Sequence, residues 1–341
     1  MNAETRARLF GYEHAFDHPV TVAIALTVAI ALLLAPLIIL LLVRLGRVGP
    51  AQRTELMQRY RSWLVLIPAM GVPILLGAAW TILGIGILSI LCYREYARAT
   101  GLFREKFISL LVVVGIFAVT FAVADHWYGF FVALFPLSVG LIVALATLAD
   151  RPQGYIQRVA LGVLGFVLFG SALGHLGYMA NDTDYRPIMM LFLLAVEAND
   201  VFAYITGKTF GRRKLAPHTS PNKTIGGALG ALVLTTALVL VLGHYVFAGP
   251  PERQGAMREP LVLLGLGVII SVVGQLGDLV LSSIKRDLGL KDMGATIPGH
   301  GGLLDRFDSL ILAAPAVFHY VGYVRQIGFG LDQPARIFSG G

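Results

Sequence analysis

Charge is scarce in this sequence. Of 341 residues only 14% are Asp, Glu, Lys or Arg, while 56% are hydrophobic, and a soluble domain carries about a quarter charged residues. That shortfall, with the long apolar runs, excludes an ordinary water-soluble globule and points to an integral membrane protein. Cysteine is all but missing. The single Cys92 lies in an apolar stretch, so an intrachain disulfide and cysteine-based metal or redox chemistry are excluded. No cleavable leader is legible either. The first apolar run, 20–43, is too long for a signal core, follows a mixed-charge segment (Glu4, Arg6, Arg8, Glu13, Asp17) and has no cleavage site, so it reads as a retained helix. Short repeats and low-complexity tracts are absent.

What is present is a series of apolar runs close to the roughly 20 residues that span a bilayer: 20–43, 63–78, 80–93, 107–124, 128–148, 159–179, 187–207, 225–247, 261–281 and 303–324. They predict an all-α polytopic membrane protein with about ten transmembrane helices, the second and third short and joined by a bare turn. Basic residues alternate between the connections. One set holds Arg44, Arg47, Arg53, Arg59 and Arg61; Arg94, Arg98, Arg104 and Lys106; Arg151 and Arg158; Lys208, Arg212, Arg213, Lys214 and Lys223; and Lys285, Arg286 and Lys291. The other set is poor in Lys and Arg. The basic set is expected to face the cytoplasm, with both termini on the far side. The organisation that follows is a non-cytoplasmic segment 1–19, transmembrane helices over 20–180, a C-terminal transmembrane region 181–326 with cytoplasmic loops 208–224 and 285–302, and a tail 327–341.

The halves differ in polarity. Inside its spans the first 180 residues offer almost nothing polar beyond Ser and Thr, whereas 181–309 hold Glu197, Asn199, Asp200, Tyr204, Gln275, Asp278, Asp305, Arg306 and Asp308. Ionisable groups within hydrocarbon are costly and line cavities or pair with one another. The densest stretch is SSIKRDLGLKDMGATIPGHGGLLDRFDS, 282–309. On a helix, Asp278, Ser282 and Lys285 share one face, as do Asp305 and Asp308 on the next. Between them runs a Gly/Pro-punctuated loop whose backbone N–H groups can approach an anion. Carboxylates beside phosphate are what Mg²⁺ prefers, and Lys285, Arg286, Lys291 and Arg306 can balance the remaining phosphate charge. The constellation reads as a metal–polyphosphate site at the cytoplasmic membrane surface. Taken singly, Lys285, Arg286 and Lys291 are equally well interfacial anchors, and His300 a solvated loop residue.

The run Ser282-x-Ile284-Lys285-Arg286-x4-Lys291-Asp292-x-Gly294-x2-Ile297-Pro298-x-His300-Gly301-Gly302-Leu303-x-Asp305-Arg306-Phe307-Asp308 closely resembles the signature of the CDP-diacylglycerol synthase (phosphatidate cytidylyltransferase) family. The stretch NDVFAYITGKTFGRRKLAPHTSPNKT, 199–224, is similar to that family's second set of elements, and the resemblance extends weakly back to REYARATGL and residue 50. One position departs from the pattern. Where the family usually has Glu or Gln after Ser-Pro-x-Lys-Thr, KTIGG places Gly226.

The resemblance implies CTP plus phosphatidate giving CDP-diacylglycerol and pyrophosphate, in phospholipid biosynthesis at the cell (inner) membrane. It implies Asp278 and Asp305 as ligands of Mg²⁺ (or Mn²⁺), with a monovalent cation such as K⁺ alongside. Lys285, Arg286, Lys291 and Arg306 become candidates for the phosphates, with Asp292 and His300 beside them. Ser220, Lys223 and Thr224 form a second nucleotide-holding loop, and Ser282, Gly301, Gly302, Asp308 and Asp200 complete the substrate site. A homodimer is an open expectation; nucleic acid is not an expected partner. Gly226 keeps open a paralogue with another lipid phosphate as acceptor. A CTP-dependent lipid kinase or, further off, a secondary transporter are the remaining alternatives.

Overall fold

The computed structural model describes residues 3–297, 301–326, 328–330 and 336–340. An apolar run in lipid must satisfy its backbone internally, and it does so here as helix. After a short α1 (Ala3–Phe10) come α2 (Pro19–Arg44), α3 (Pro50–Leu76), α4 (Ala78–Ala99), α5 (Lys106–Ala124) and α6 (Tyr128–Leu145). The next span is built from α7 (Tyr155–Gly165), a π-helical stretch Phe166–Ala172 and α8 (Leu173–Met179). The chain then continues through α9 (Tyr185–Phe210), α10 (Ile225–Val246), the short α11 (Pro251–Gln254), α12 (Pro260–Asp287) and α13 (Leu304–Arg325). Proline at the first turn of α2, α3 and α12 starts those helices where its missing N–H costs nothing.

Among the described residues nine of these helical stretches are long and apolar enough to cross a membrane, beside the roughly ten expected. The exception is α3, whose first half carries Arg53, Glu55, Arg59 and Arg61. The predicted short spans 63–78 and 80–93 are the apolar parts of two full helices, α3 and α4. They meet at Gly77, where φ is +142° and a Cβ would come within 2.3 Å of the Leu9 carbonyl oxygen. One departure from an all-α chain is a two-stranded antiparallel hairpin. Its strands, β1 (Lys214–Ala216) and β2 (Ser220–Thr224), pair Lys214 with Thr224 and Ala216 with Ser220.

Helices α9, α10, α12 and α13 pack closely because small residues line their contacts. A Cβ on Gly230 would lie 2.4 Å from Thr206, one on Gly267 2.6 Å from Thr236 Cα, and one on Gly277 2.6 Å from the Asp308 carbonyl. A buried polar network ties three of them together: Asn199 Oδ1 accepts from Thr235 (3.1 Å) and Ser271 (2.6 Å), and Gln275 donates to Ser271. At one end of the bundle Arg325 pairs with Asp182 at 2.8 Å and Arg8 reaches the Asn181 carbonyl. At the other end Arg286 Nε donates to the Thr219 carbonyl at 3.3 Å. The hairpin loop and the loop after α12 therefore lie together.

Candidate active site

Three segments converge at that second end: the last turn of α12, the start of α13, and β2 leading into α10. On α12, Asp278, Ser282 and Lys285 do share a face. Ser282 Oγ donates to Asp278 Oδ1 at 3.1 Å, while Lys223 from β2 sits 2.5 Å from Asp278 Oδ2. Lys285 Nζ donates to Asp305 Oδ1 at 2.8 Å, in a pair buried on both sides. The Lys285 ammonium is also close enough to Asp278 and Asp308 to attract both electrostatically. Asp200, from α9, lies near Asp278 and Asp308, and Ser309 Oγ reaches it at 3.5 Å. Four carboxylates thus face two lysines. Arg306 adds a third cation, close to Asp200 and to Glu197, one helical turn earlier on α9, and its Nε is buried without a hydrogen-bond partner.

Asp305 has a second task. Its Oδ2 accepts the Met293 and Gly302 N–H groups, each at 2.9 Å. The free N–H groups at the start of a helix need acceptors, and two at the start of α13 find theirs at a distance: Glu95, on α4, accepts from Leu303 N (2.9 Å) and Leu304 N (2.8 Å), and from the Thr296 hydroxyl. Gly294 and Gly302 lie so close to this carboxylate that a Cβ on either would approach it to 3.0 and 2.5 Å. Two carboxylates 210 positions apart in sequence therefore clamp one loop. Glu95, just beyond the apolar run 80–93, is a residue that the sequence reading did not single out. Its signal in the sequence was a lone acid among the basic residues ending an apolar run.

Other expected residues fall into place with varying closeness. Gly301, at φ +81°, closes the loop through a backbone bond from Ile297 N to its carbonyl (2.8 Å) and packs on Asp292. Lys291 and Asp292 are exposed at the mouth. Arg286 is turned toward Thr219 and Leu290 rather than the carboxylates. Thr224 serves as the N-cap of α10, accepting from Gly227 N at 3.0 Å, and Ser220 opens β2. His300 lies outside the described residues. Among those described, no group of three or more His, Cys, Asp or Glu is arranged as a complete metal site. The departure at Gly226 has a packing cause: a Cβ there would stand 2.8 Å from the Phe210 carbonyl oxygen and 3.2 Å from Gly211 Cα.

An apolar cavity of about 300 Å³ adjoins this cluster. Leu303, Phe307 and Leu310 of the α13 region form one wall, Leu88 and Leu91 of α4 another, and Met189 and Leu193 of α9 a third. Met189, Leu193, Glu197 and Asp200 follow helical spacing along one stripe of α9. That stripe is apolar in the cavity and acidic at the cluster.

Residues 57–324 match the model of the cytidylyltransferase family. The chain belongs to that family. Its relatives include the phosphatidate cytidylyltransferases of Rickettsia typhi, 31% identical over 217 residues (62% of this chain, 90% of that protein), and Staphylococcus haemolyticus, 30% identical over 259 residues (74% and 92%). The uncharacterized protein YnbB of Escherichia coli K12 is 30% identical over 286 residues, 82% of this chain and 91% of its own length. As a cytidylyltransferase family member the chain is a nucleotidyltransferase, and its polar cluster stands where the signature residues lie.

Proposed function

We propose that this protein transfers the cytidylyl group of CTP to the phosphate of phosphatidate, releasing pyrophosphate and leaving CDP-diacylglycerol in the membrane. The observation that carries the reading is the pair of lysine–carboxylate contacts, Lys223 on Asp278 and Lys285 on Asp305, near an apolar cavity that Leu303 and Phe307, the neighbours of Asp305, help to line. A soluble nucleotide reaches such a site from the loops. A lipid reaches it from the bilayer, with an acyl chain against Met189, Leu193 and Phe307 and its phosphate toward Arg306. The unpartnered Arg306 Nε is a donor suited to that phosphate. The basic connections support a cytoplasmic location for this end of the bundle, and 181–326 is then the catalytic region.

The lipid phosphate is itself the nucleophile, so the chain need supply none. Attack on the α-phosphorus of CTP expels pyrophosphate in line, and the protein's work is positioning and charge neutralisation. The donor set fits a hard divalent cation: it is all oxygen, and Mg²⁺ needs only one or two protein carboxylates when phosphate and water fill its shell. Asp278 and Asp305 would hold it, Lys223 and Lys285 being the cations that neutralise them here. Bound there, the metal would supply charge stabilisation for the phosphates. Displaced from the carboxylates, Lys223 and Lys285 would turn to the triphosphate, while the Glu95–Asp305 clamp keeps the glycine loop in place. The test is turnover by detergent-purified protein with CTP and phosphatidate. Pyrophosphate should appear only with Mg²⁺ or Mn²⁺ and stop with excess EDTA; undiminished turnover in chelator contradicts the metal assignment.

A further inference from the structure

A second cavity, about 420 Å³, lies at the opposite end of the bundle. Arg186, on its wall, and Asp200 are 14 positions apart on α9, about 21 Å along the helix axis, so this cavity is separate from the proposed catalytic centre. One side is built by the segment from Ala7 to Thr21, which precedes the stretch 57–324 that matches the family. The other side is the start of α9 and Arg253.

Its chemistry is that of an anion site. Arg8, Arg186 and Arg253 line it, with His14 and His18. Of the two acids present, Asp17 is paired with His14 at 2.7 Å and Asp184 accepts from Gln254 at 3.1 Å. Arg186 is 8% exposed; it spends one terminal N–H on the Gly11 carbonyl at 2.7 Å, and its Nε has no partner. The Thr21 hydroxyl, fully buried, also has none. Buried donors without acceptors are costly and signal a missing partner. Beside the cavity, Phe10, Tyr12 and Phe16 are 48%, 69% and 55% exposed, as aromatic residues are where a protein meets the lipid headgroup layer. The α2 and α9 helices also begin here, which places the cavity at the bilayer boundary.

We infer that this cavity binds the phosphate of a phospholipid from the leaflet opposite the catalytic one, held by Arg186, Arg253 and Thr21. The site is independent of the reaction proposed above. Its occupant docks the N-terminal segment onto the start of α9.

Binding of phosphatidylglycerol, diacylglycerol and inorganic phosphate to delipidated, detergent-purified full-length protein tests this, by native mass spectrometry titration. Phosphatidylglycerol should bind, and diacylglycerol, lacking the phosphate, should bind at least roughly tenfold more weakly, the value of one charge-assisted hydrogen bond. Arg186→Gln should weaken phosphatidylglycerol by about the same factor. Arg253→Gln, at an exposed side chain, should weaken it severalfold without lowering the thermal midpoint. Asp278→Asn, at the other end, should leave it unchanged. Equal binding of the two lipids, wild-type binding by both arginine variants, or full displacement by inorganic phosphate each overturns the assignment.

Discussion

At the scale of single residues the two central carboxylates differ in a way that mutation exposes. Asp278 faces one hydroxyl and one ammonium. An Asn there can keep its oxygen toward Lys223 and donate its amide to Ser282, which accepts as readily as it donates. Asp305 faces only donors: Lys285 on one oxygen, the Met293 and Gly302 N–H groups on the other. An Asn must there turn an N–H₂ against a donor. Asp278→Asn should therefore lose turnover by orders of magnitude with normal yield and thermal stability. Asp305→Asn should lose turnover and stability together, and the double variant should be little less active than either single. Retention of more than about a tenth of wild-type activity by Asp278→Asn, a barrier change under roughly 1.4 kcal/mol, contradicts its role. Glu95→Gln tests the clamp. It removes one of two acceptor oxygens serving Leu303, Leu304 and Thr296. Activity should fall roughly tenfold or more, the cost of leaving a buried donor unmet, and protease cleavage within 294–302 should accelerate. Unchanged cleavage would mean that Glu95 does not hold the loop.

At the scale of elements, the α9–α10 junction turns the Gly226 departure into a packing matter. The sequence leaves open a change of lipid acceptor; the structure fills the space with the Phe210 carbonyl. Gly226→Ala should destabilise by about 1–3 kcal/mol through overpacking, seen as a lower thermal midpoint, and Gly226→Glu by more. A stable Gly226→Glu variant with tighter CTP binding would return the position to the nucleotide site. Much of the element plan was legible because apolar runs in lipid have little choice but helix. What stayed hidden has physical reasons. The apolar second half of α3 was legible, but its helical first half is too polar for hydropathy to mark. The hairpin 214–224 is short and polar, with no alternating apolar pattern to betray it. The face uniting Asp278, Ser282 and Lys285 was readable because 3.6-residue periodicity is local. The contact of Lys223 with Asp278, or of Glu95 with Leu304, was not, because nothing local specifies which distant helix meets which.

At the scale of the whole molecule, the two ends have opposite characters: one gathers the signature residues and the glycine loop, the other the N-terminal segment, Asp182, Arg325 and the second cavity. From the Lys/Arg alternation the first end is expected to face the cytoplasm. In a Cys92→Ser background, Ala295→Cys should react with an impermeant thiol reagent only from the cytoplasmic side; labelling from outside inverts the topology. That arrangement lets a water-soluble triphosphate and a bilayer-held phosphate meet at one place, and the fate of each phosphate of CTP reports directly on what happens there. The decisive measurement is turnover of CTP labelled separately at the α- and γ-phosphates, with phosphatidate and Mg²⁺. Transfer of the α-label into the lipid fraction, with the γ-label recovered as pyrophosphate, is the predicted result. Transfer of the γ-label into lipid with release of CDP would make the protein a lipid kinase and contradict the account.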